Sequence, residues 1–149
     1  MRKLTLFIFI SFISISIAFA QATDFTTDDC NGISHQLFSE LDAGNVIVIA
    51  WVMPCGPCAT DALPAYAAVQ SFSSSHPNRV DFYLVDDYDN TSCATLVNWG
   101  IANSMPLNTT FRSPDISMND YGTAGMPKVV VLGGSDHTIF YNQNESHIT

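Results

Sequence analysis

Residues 46–58 constrain the fold more than any other stretch of the sequence. They read VIVIAWVMPCGPC, and the first eight of them include no polar residue. A run this rich in Val and Ile is typical of a strand covered on both faces, as in a parallel sheet. Apolar residues then recur at roughly helical spacing as far as Phe72. The stretch therefore predicts a buried strand that leads into a helix beginning at Cys55.

Cys55 and Cys58 are separated by two residues, a spacing that redox-active dithiols share with some metal sites. The N–H groups and dipole of a helix N-terminus stabilise an anion, and the thiolate is the nucleophile of thiol–disulfide exchange. We therefore predict that Cys55 attacks and that Cys58 resolves the mixed disulfide. A short-range structural disulfide is one alternative. A metal site is the other, but the sequence has no second C-x-x-C and no H-x3-H pair, so no metal is predicted.

Residues 1–20 are typical of a cleaved secretory signal. Arg2 and Lys3 precede an apolar run at residues 4–17, and Ala18-Phe19-Ala20 matches a signal cleavage site. The alternative is an uncleaved anchor, the only membrane attachment we expect, with an apolar span of about 17 residues. Removal of the signal leaves 129 residues (149 minus 20), enough for one domain at residues 21–149. We expect this domain to be exported, either periplasmic or secreted, in a bacterium.

The charge balance argues against nucleic acid as a partner. After the signal the chain keeps three basic residues against fourteen acidic ones, a formal charge of −11 (3 minus 14). Such a surface repels a phosphate backbone. Solubility is the simplest explanation of the charge, and it identifies no substrate.

The remaining pattern is strand, helix, strand, helix and hairpin. Residues 80–85 alternate and are apolar, so they complete a parallel βαβ unit with the strand at residue 46. Residues 128–132 and 137–141 flank a Gly-Gly-Ser-Asp turn and predict an antiparallel hairpin. Shorter elements are expected as a helix capped by Ser34 with a surface His35, a helix at residues 92–98, a strand at residues 107–111 and a helix at residues 113–121. The oxygen-rich residues 86–92 are assigned to turn and capping chemistry rather than to calcium.

With this order of elements and Gly125-Met126-Pro127 before the hairpin, the chain resembles the thioredoxin family over roughly residues 24–144. The resemblance implies a thioredoxin-like α/β fold, with a central mixed β-sheet flanked by helices. Gly56 and Pro57 complete the family's dithiol motif. Pro127 matches its cis-proline, which implies that Met126 binds the substrate backbone by short β-pairing.

The resemblance also places Trp51, the aromatic residue four positions before Cys55, among the substrate-binding residues. The 72 positions between Cys55 and Pro127 exceed the gap of a minimal thioredoxin, and residues 100–121 supply a strand and a helix. This insertion is similar to the TlpA/ResA-like branch, exported reductases that keep thiols of other exported proteins reduced. Asp61 matches an acid of that branch, which implies a proton acceptor for Cys58. The alternative is a first-turn acid favoured by the helix dipole.

Several positions depart from the family pattern. Pro54 stands where the family has Trp, Ile49 where classical thioredoxins have a buried acid, and Pro64 one residue beyond the usual helix-kink proline. The sequence ends at Thr149, so we expect the last helix of the fold to be missing and an apolar sheet face to be exposed.

Cys30 and Cys93 are the natural second bridge once Cys55 and Cys58 pair, although four cysteines allow three pairings. In a thioredoxin-like sheet the helices near Cys30 and Cys93 begin at the same edge. A bridge closing about 63 residues would stabilise the fold by about 4 kcal/mol in the chain-entropy model. We favour this structural role. A second redox pair that relays electrons to Cys55 and Cys58 is the alternative.

The predicted function is therefore an exported thiol–disulfide oxidoreductase acting as a reductase, as a monomer and without a cofactor. Its predicted partners are thiols and disulfides of exported proteins and an electron-donor protein. The alternative is a secreted binding or scaffold domain with two permanent disulfides. Pro54 and Ile49, which depart from the family pattern, favour this alternative. A copper-handling protein is a third hypothesis, but no histidine is suitably placed beside the dithiol.

Overall fold

The computed structural model describes residues 20–86 and 88–144, so most of the expected signal at residues 1–20 lies outside the described residues. In chain order the elements are β1 (Thr26–Asp28), β2 (Ser34–Gln36), α1 (Leu37–Asp42), β3 (Val46–Val52), α2 (Gly56–Ser71), β4 (Val80–Asp86), α3 (Cys93–Ala102), β5 (Thr109–Phe111), a 3-10 helix (Met118–Tyr121), β6 (Lys128–Gly133) and β7 (Thr138–Asn144).

Five strands form one mixed sheet in the order β5-β4-β3-β6-β7. β3 pairs in parallel with β4, and β4 in parallel with β5. β6 runs antiparallel to β3 and to β7. The apolar strand β3 is therefore central, and all its residues but the first are buried. The predicted βαβ unit, C-terminal hairpin and central mixed sheet are confirmed.

The sheet has a core on each face because residues of β3 alternate between its two sides. Ile47, Ile49 and Trp51 face α1, whose Leu37 and Leu41 are fully buried there. The other core combines residues of β3, α2 and α3: Val48, Ala50, Val52, Cys58, Ala62 and Leu96. Helices thus cover both faces, and α2 and α3 lie on the same one.

The N-terminal region differs from the sequence prediction. Ser34 does not cap a helix: it lies in β2, which pairs with β1 in a two-stranded antiparallel sheet. α1 begins only at Leu37, with Gln36 as its N-cap. The turn between the strands is closed by Asp29, whose carboxylate accepts hydrogen bonds from the N–H groups of Asn31 (2.8 Å) and Ile33 (2.9 Å). These backbone bonds favour a hairpin where apolar periodicity gave no strand signal.

The region after β4 is closer to the prediction but also differs from it. The carboxylate of Asp86 accepts hydrogen bonds from two backbone N–H groups in the following turn, and Ser92 caps α3, so turn and capping chemistry account for this segment. α3 continues to Ala102, four residues beyond the predicted end. The expected helix at residues 113–121 is reduced to the short 3-10 helix.

One sheet face remains partly open. An apolar groove of about 570 Å³ lies between α2 and the sheet, with Val48, Ala65, Val69, Phe72 and Val131 in its lining. β7 is the last element of the described residues. No helix within them is long and apolar enough to cross a membrane.

Candidate active site

The dithiol lies where β3 passes into α2. Cys55 has extended backbone angles and is the N-cap of α2, while Pro57 occupies the first turn, where its missing N–H removes no helical bond. The Cys55 sulfur accepts a hydrogen bond from the N–H of Cys58 at 3.4 Å. The local sequence therefore builds a cap in which sulfur takes the place of the usual Ser or Asp oxygen.

The two cysteines have different environments. Cys55 is half-exposed, whereas Cys58 is 2% exposed and packs within the core beside α2. Their sulfur atoms are 2.7 Å apart and hydrogen-bonded, and no disulfide joins them. Gly56 and Pro57, between them, are exposed. An incoming group can thus reach Cys55, and Cys58 lies close enough to attack the sulfur of Cys55 afterwards.

Asp61 is three residues after Cys58 in α2, so the two side chains lie on one face of the helix. Asp61 is buried, at 9% exposure. A carboxyl group beside a buried thiol can accept its proton. Ile49 is fully buried, and α2 continues through Pro64 to Ser71.

The peptide bond between Met126 and Pro127 is cis. The residue after it, Lys128, is paired with Trp51 in the antiparallel register of β3 and β6. Neighbouring strands are about 4.8 Å apart. This register therefore places the start of β6 at the same end of the sheet as the end of β3 and the C-G-P-C turn. Met126 is half-buried and Pro127 is buried. The structure therefore brings the dithiol and the cis-proline to the same end of the sheet.

Trp51 does not belong to the accessible part of this site, which corrects the expectation that it contacts substrate. Its side chain is fully buried. The indole N–H donates to the carbonyl of Ile116 at 2.9 Å, and the ring packs on Tyr121 with centroids 5.3 Å apart. Trp51 points to the α1 side of the sheet, opposite Cys58, because it alternates with Val52 along β3. Its contacts support the segment that precedes the cis-proline.

Cys30 and Cys93 form a disulfide, with an S–S distance of 2.09 Å and Cα atoms 5.4 Å apart. The bridge joins the β1–β2 turn to the first turn of α3. Both cysteines are half-exposed. The N–H of Cys30 also donates to the carbonyl of Thr110 in β5 at 2.8 Å, so the turn is held at two points.

His35 lies in a polar cluster that the sequence analysis missed when it assigned this residue to the surface. Its side chain is 17% exposed. His35 Nδ1 is 2.8 Å from the Glu40 carboxylate, Nε2 is 3.6 Å from that of Asp29, and the hydroxyl of Tyr83 donates to Glu40. Burial and the hydrogen bond to Glu40 raise the pKa of Tyr83. Burial and the charge of Glu40 raise the pKa of Asp81. The cluster is a continuous set of ionisable contacts between α1 and β4.

Asp29 behaves differently within the same cluster. Burial alone would raise its pKa, but hydrogen bonds from the backbone N–H groups of Ile33 and Asn31, with the nearby His35, lower it overall. Within the described residues, no group of three or more His, Cys, Asp or Glu side chains has an arrangement that could hold a metal ion.

No protein-family model matches the sequence, and no curated protein matches it. Solved structures do match. The thioredoxin domain of a thiol-disulfide oxidoreductase from Bacteroides vulgatus superposes with a TM-score of 0.62 at 13% identity, over 86% of this chain and 89% of that one. The chain has a thioredoxin-like fold.

Two further structures share this fold. A thiol:disulfide interchange protein of the thioredoxin family from Chlorobium tepidum covers 87% of this chain and 91% of its own, with a TM-score of 0.59 and 14% identity. A thiol:disulfide interchange protein from Bacteroides sp. covers 80% and 77%, with a TM-score of 0.62 and 14% identity. In this thioredoxin-like fold the C-G-P-C turn and the cis-proline lie at one end of the sheet.

Proposed function

We propose that the chain is an exported thiol–disulfide oxidoreductase of the thioredoxin family that reduces disulfides in other exported proteins. One observation carries the proposal: a half-exposed thiol caps a helix, a buried thiol lies beside it, and a cis-proline directly precedes β6 at the same end of the sheet. Each part has a role in disulfide exchange, and a structural bridge requires none of them.

The reaction transfers two electrons from the dithiol to the substrate. The Cys55 thiolate attacks one sulfur of a substrate disulfide, so that a mixed disulfide forms and the other substrate sulfur leaves as a thiolate. The Cys58 thiolate then attacks the Cys55 sulfur and releases the second substrate thiolate. Cys55 and Cys58 end as a disulfide, and the substrate is reduced. An electron-donor protein must return two electrons before the next cycle.

Asp61 has the role of proton acceptor in the second step. The Cys58 thiol is buried and must lose its proton before it can attack. Asp61 follows it by one helical turn and is itself buried, so a proton can pass to the carboxylate without leaving the protein.

The direction and the location of the reaction belong to the proposal as well. Pro57 completes the C-G-P-C sequence of thioredoxin, whose reduction potential is about −270 mV. The oxidant DsbA has a reduction potential of about −120 mV. The signal-like residues 1–20 and the half-exposed Cys30–Cys93 bridge fit an oxidising compartment outside the cytoplasm. The insertion at residues 100–121, with its strand β5, supports assignment to the TlpA/ResA-like branch.

Reduction of insulin tests the proposal. Mature protein with dithiothreitol as electron donor should reduce insulin faster than dithiothreitol alone, because its activated thiol is the better nucleophile. Cys55→Ser should abolish the acceleration, and Cys58→Ser should accumulate a mixed disulfide at Cys55 that mass spectrometry detects.

The double variant Cys30→Ser/Cys93→Ser is the matched control, and its turnover should persist if that bridge is structural. If the wild-type protein were no faster than dithiothreitol alone and Cys55→Ser changed nothing, the oxidoreductase would be refuted. The binding or scaffold domain would then be the better account.

A further inference from the structure

Lys128 is a buried cation that the proposed reaction does not use. It follows the cis-proline directly, and the residue is 2% exposed. Its ammonium group donates to the carbonyl of Thr123 at 3.3 Å and to the side-chain oxygen of Asn144 at 2.8 Å. It has no carboxylate partner among the ion pairs of the described residues. Burial lowers its pKa, as expected for a cation taken out of water.

Two asparagines of β7 hold the same segment. The side-chain amide of Asn144 donates to the carbonyl of Thr123 at 2.8 Å, so this one carbonyl receives hydrogen bonds from both Asn144 and Lys128. The amide of Asn142 donates to the carbonyl of Tyr121 at 2.9 Å. Gly125 packs so closely that a Cβ there would lie 2.7 Å from the Asn144 amide nitrogen. The segment before Pro127 is thus attached to the C-terminal hairpin through its backbone.

We propose that Lys128 and Asn144 are positioning residues that hold residues 123–127, the cis-proline loop, in the conformation that receives the backbone of a protein substrate. The inference rests on the proposed function. A substrate segment that pairs with the backbone of Met126 adds a short β-strand beside this loop. A loop that is already ordered pays less conformational entropy when this pairing forms.

The free-energy cost of burying the Lys128 ammonium group supports a role for this residue beyond stability. A buried ammonium group without a carboxylate loses its hydration, and even buried ion pairs can often be replaced by apolar residues without loss of stability. Methionine has a similar length and would fill the same space. If Lys128 served only the fold, an apolar residue would serve as well. Methionine cannot supply the hydrogen bond to the Thr123 carbonyl of the loop or the one to Asn144, the residue of β7 that also binds this carbonyl.

The test compares Lys128→Met and Asn144→Ala with wild type, in the mature protein. Gln143→Ala is the matched control, since Gln143 is exposed and lies in β7 between the two asparagines. The first readout is KM for insulin relative to KM for the small disulfide cystine, which has no polypeptide backbone to pair. The second is amide hydrogen exchange at residues 123–126, which requires no turnover.

We expect the ratio of the two KM values to rise about five- to tenfold in Lys128→Met and in Asn144→Ala, the loss expected for about one hydrogen bond. The kcat for insulin should change less than twofold, exchange in the loop should become faster, and Gln143→Ala should match wild type. The urea midpoint of Lys128→Met should not fall below that of wild type.

Two outcomes would overturn the inference. An unchanged KM ratio with a lowered urea midpoint would make Lys128 a structural residue only, and unchanged exchange at residues 123–126 would show that it does not hold the loop. An inactive wild-type protein would refute the proposed function separately. The exchange measurement would then still decide whether the loop is held.

Discussion

Loss of the Cys30–Cys93 bridge should cost a large part of the stability of the fold. The bridge spans a sequence separation of 63 residues. In the chain-entropy model, closing a loop of this length removes about 14 cal/mol/K from the unfolded chain, which is about 4 kcal/mol at 25 °C. Small domains have total stabilities of about 5–15 kcal/mol. The double variant Cys30→Ser/Cys93→Ser should therefore be folded but marginal.

Urea unfolding followed by tryptophan fluorescence measures this loss, because Trp51 is fully buried in the folded protein. With a slope of about 1.5 kcal/mol per M urea, the midpoint should fall by about 2–3 M. Cys55→Ser/Cys58→Ser is the matched control. It also replaces two cysteines but opens no long loop, so its loss should stay below about 1.5 kcal/mol.

A loss below about 1 kcal/mol in Cys30→Ser/Cys93→Ser would refute the entropic reasoning. It would mean that the β1–β2 turn and α3 are held together without the bridge, for example by the backbone bond from Cys30 to Thr110. Wild type and variant should then unfold at nearly the same urea concentration.

Three further predictions concern single residues. Asp61→Asn should slow release of the mixed disulfide about tenfold or more in stopped-flow measurements, with little effect on the first attack, and equal effects on both steps would contradict its role. The folded protein raises the pKa of Asp81, so it favours the protonated carboxyl group. The resulting contribution to folding stability is complete below about pH 3.8, the unfolded pKa, and is lost as pH rises through the folded pKa. Asp81→Asn should therefore stabilise the protein against urea at pH 7 but not at pH 3, and an equal gain at both would disprove this. Trp51→Phe should cost about 1–3 kcal/mol by leaving the Ile116 carbonyl without its donor, whereas a raised KM at unchanged stability would restore its substrate role.

The sequence predicted the centre of the fold well because the signals there are local and strong. An apolar run of eight residues, a dithiol turn and a helix follow one another at residues 46–72, and β3 and α2 lie there. The cis bond before Pro127 and the hairpin after it were also anticipated. Neighbouring residues carry the information for the strand, the helix and the hairpin, whereas the cis bond was implied by the resemblance to the thioredoxin family.

The N-terminal hairpin could not be predicted from periodicity. β2 has three polar residues, Ser34, His35 and Gln36, and is held by backbone bonds to β1. The available signal was Asn31-Gly32, a dipeptide typical of hairpin turns. The burial of His35 against β4 depends on contacts with Tyr83, 48 positions away, which no local pattern reveals.

The anchoring of the cis-proline loop depends on the register of the C-terminal hairpin. Lys128 is paired with Asn144, and Val131 with Tyr141, but Leu132 is paired with Ile139. The irregularity between Val131 and Leu132 inserts one residue into β7. Counting outward from the turn without it would pair Lys128 with Gln143 and place Asn144 beyond the strand pair. A one-residue shift reverses which face each side chain occupies, so this contact was out of reach of the sequence.

The reduction potential of the Cys55–Cys58 pair tests the central claim most directly. It can be measured by equilibrium with dithiothreitol and glutathione on mature protein, with Cys30→Ser/Cys93→Ser as a reference that contains only the active dithiol. We expect a reversible two-electron couple at about −270 mV in both proteins. A reduction potential of about −120 mV would contradict the reductase direction. A Cys55–Cys58 pair that never exchanges with dithiothreitol would contradict the claim that these cysteines form an active site.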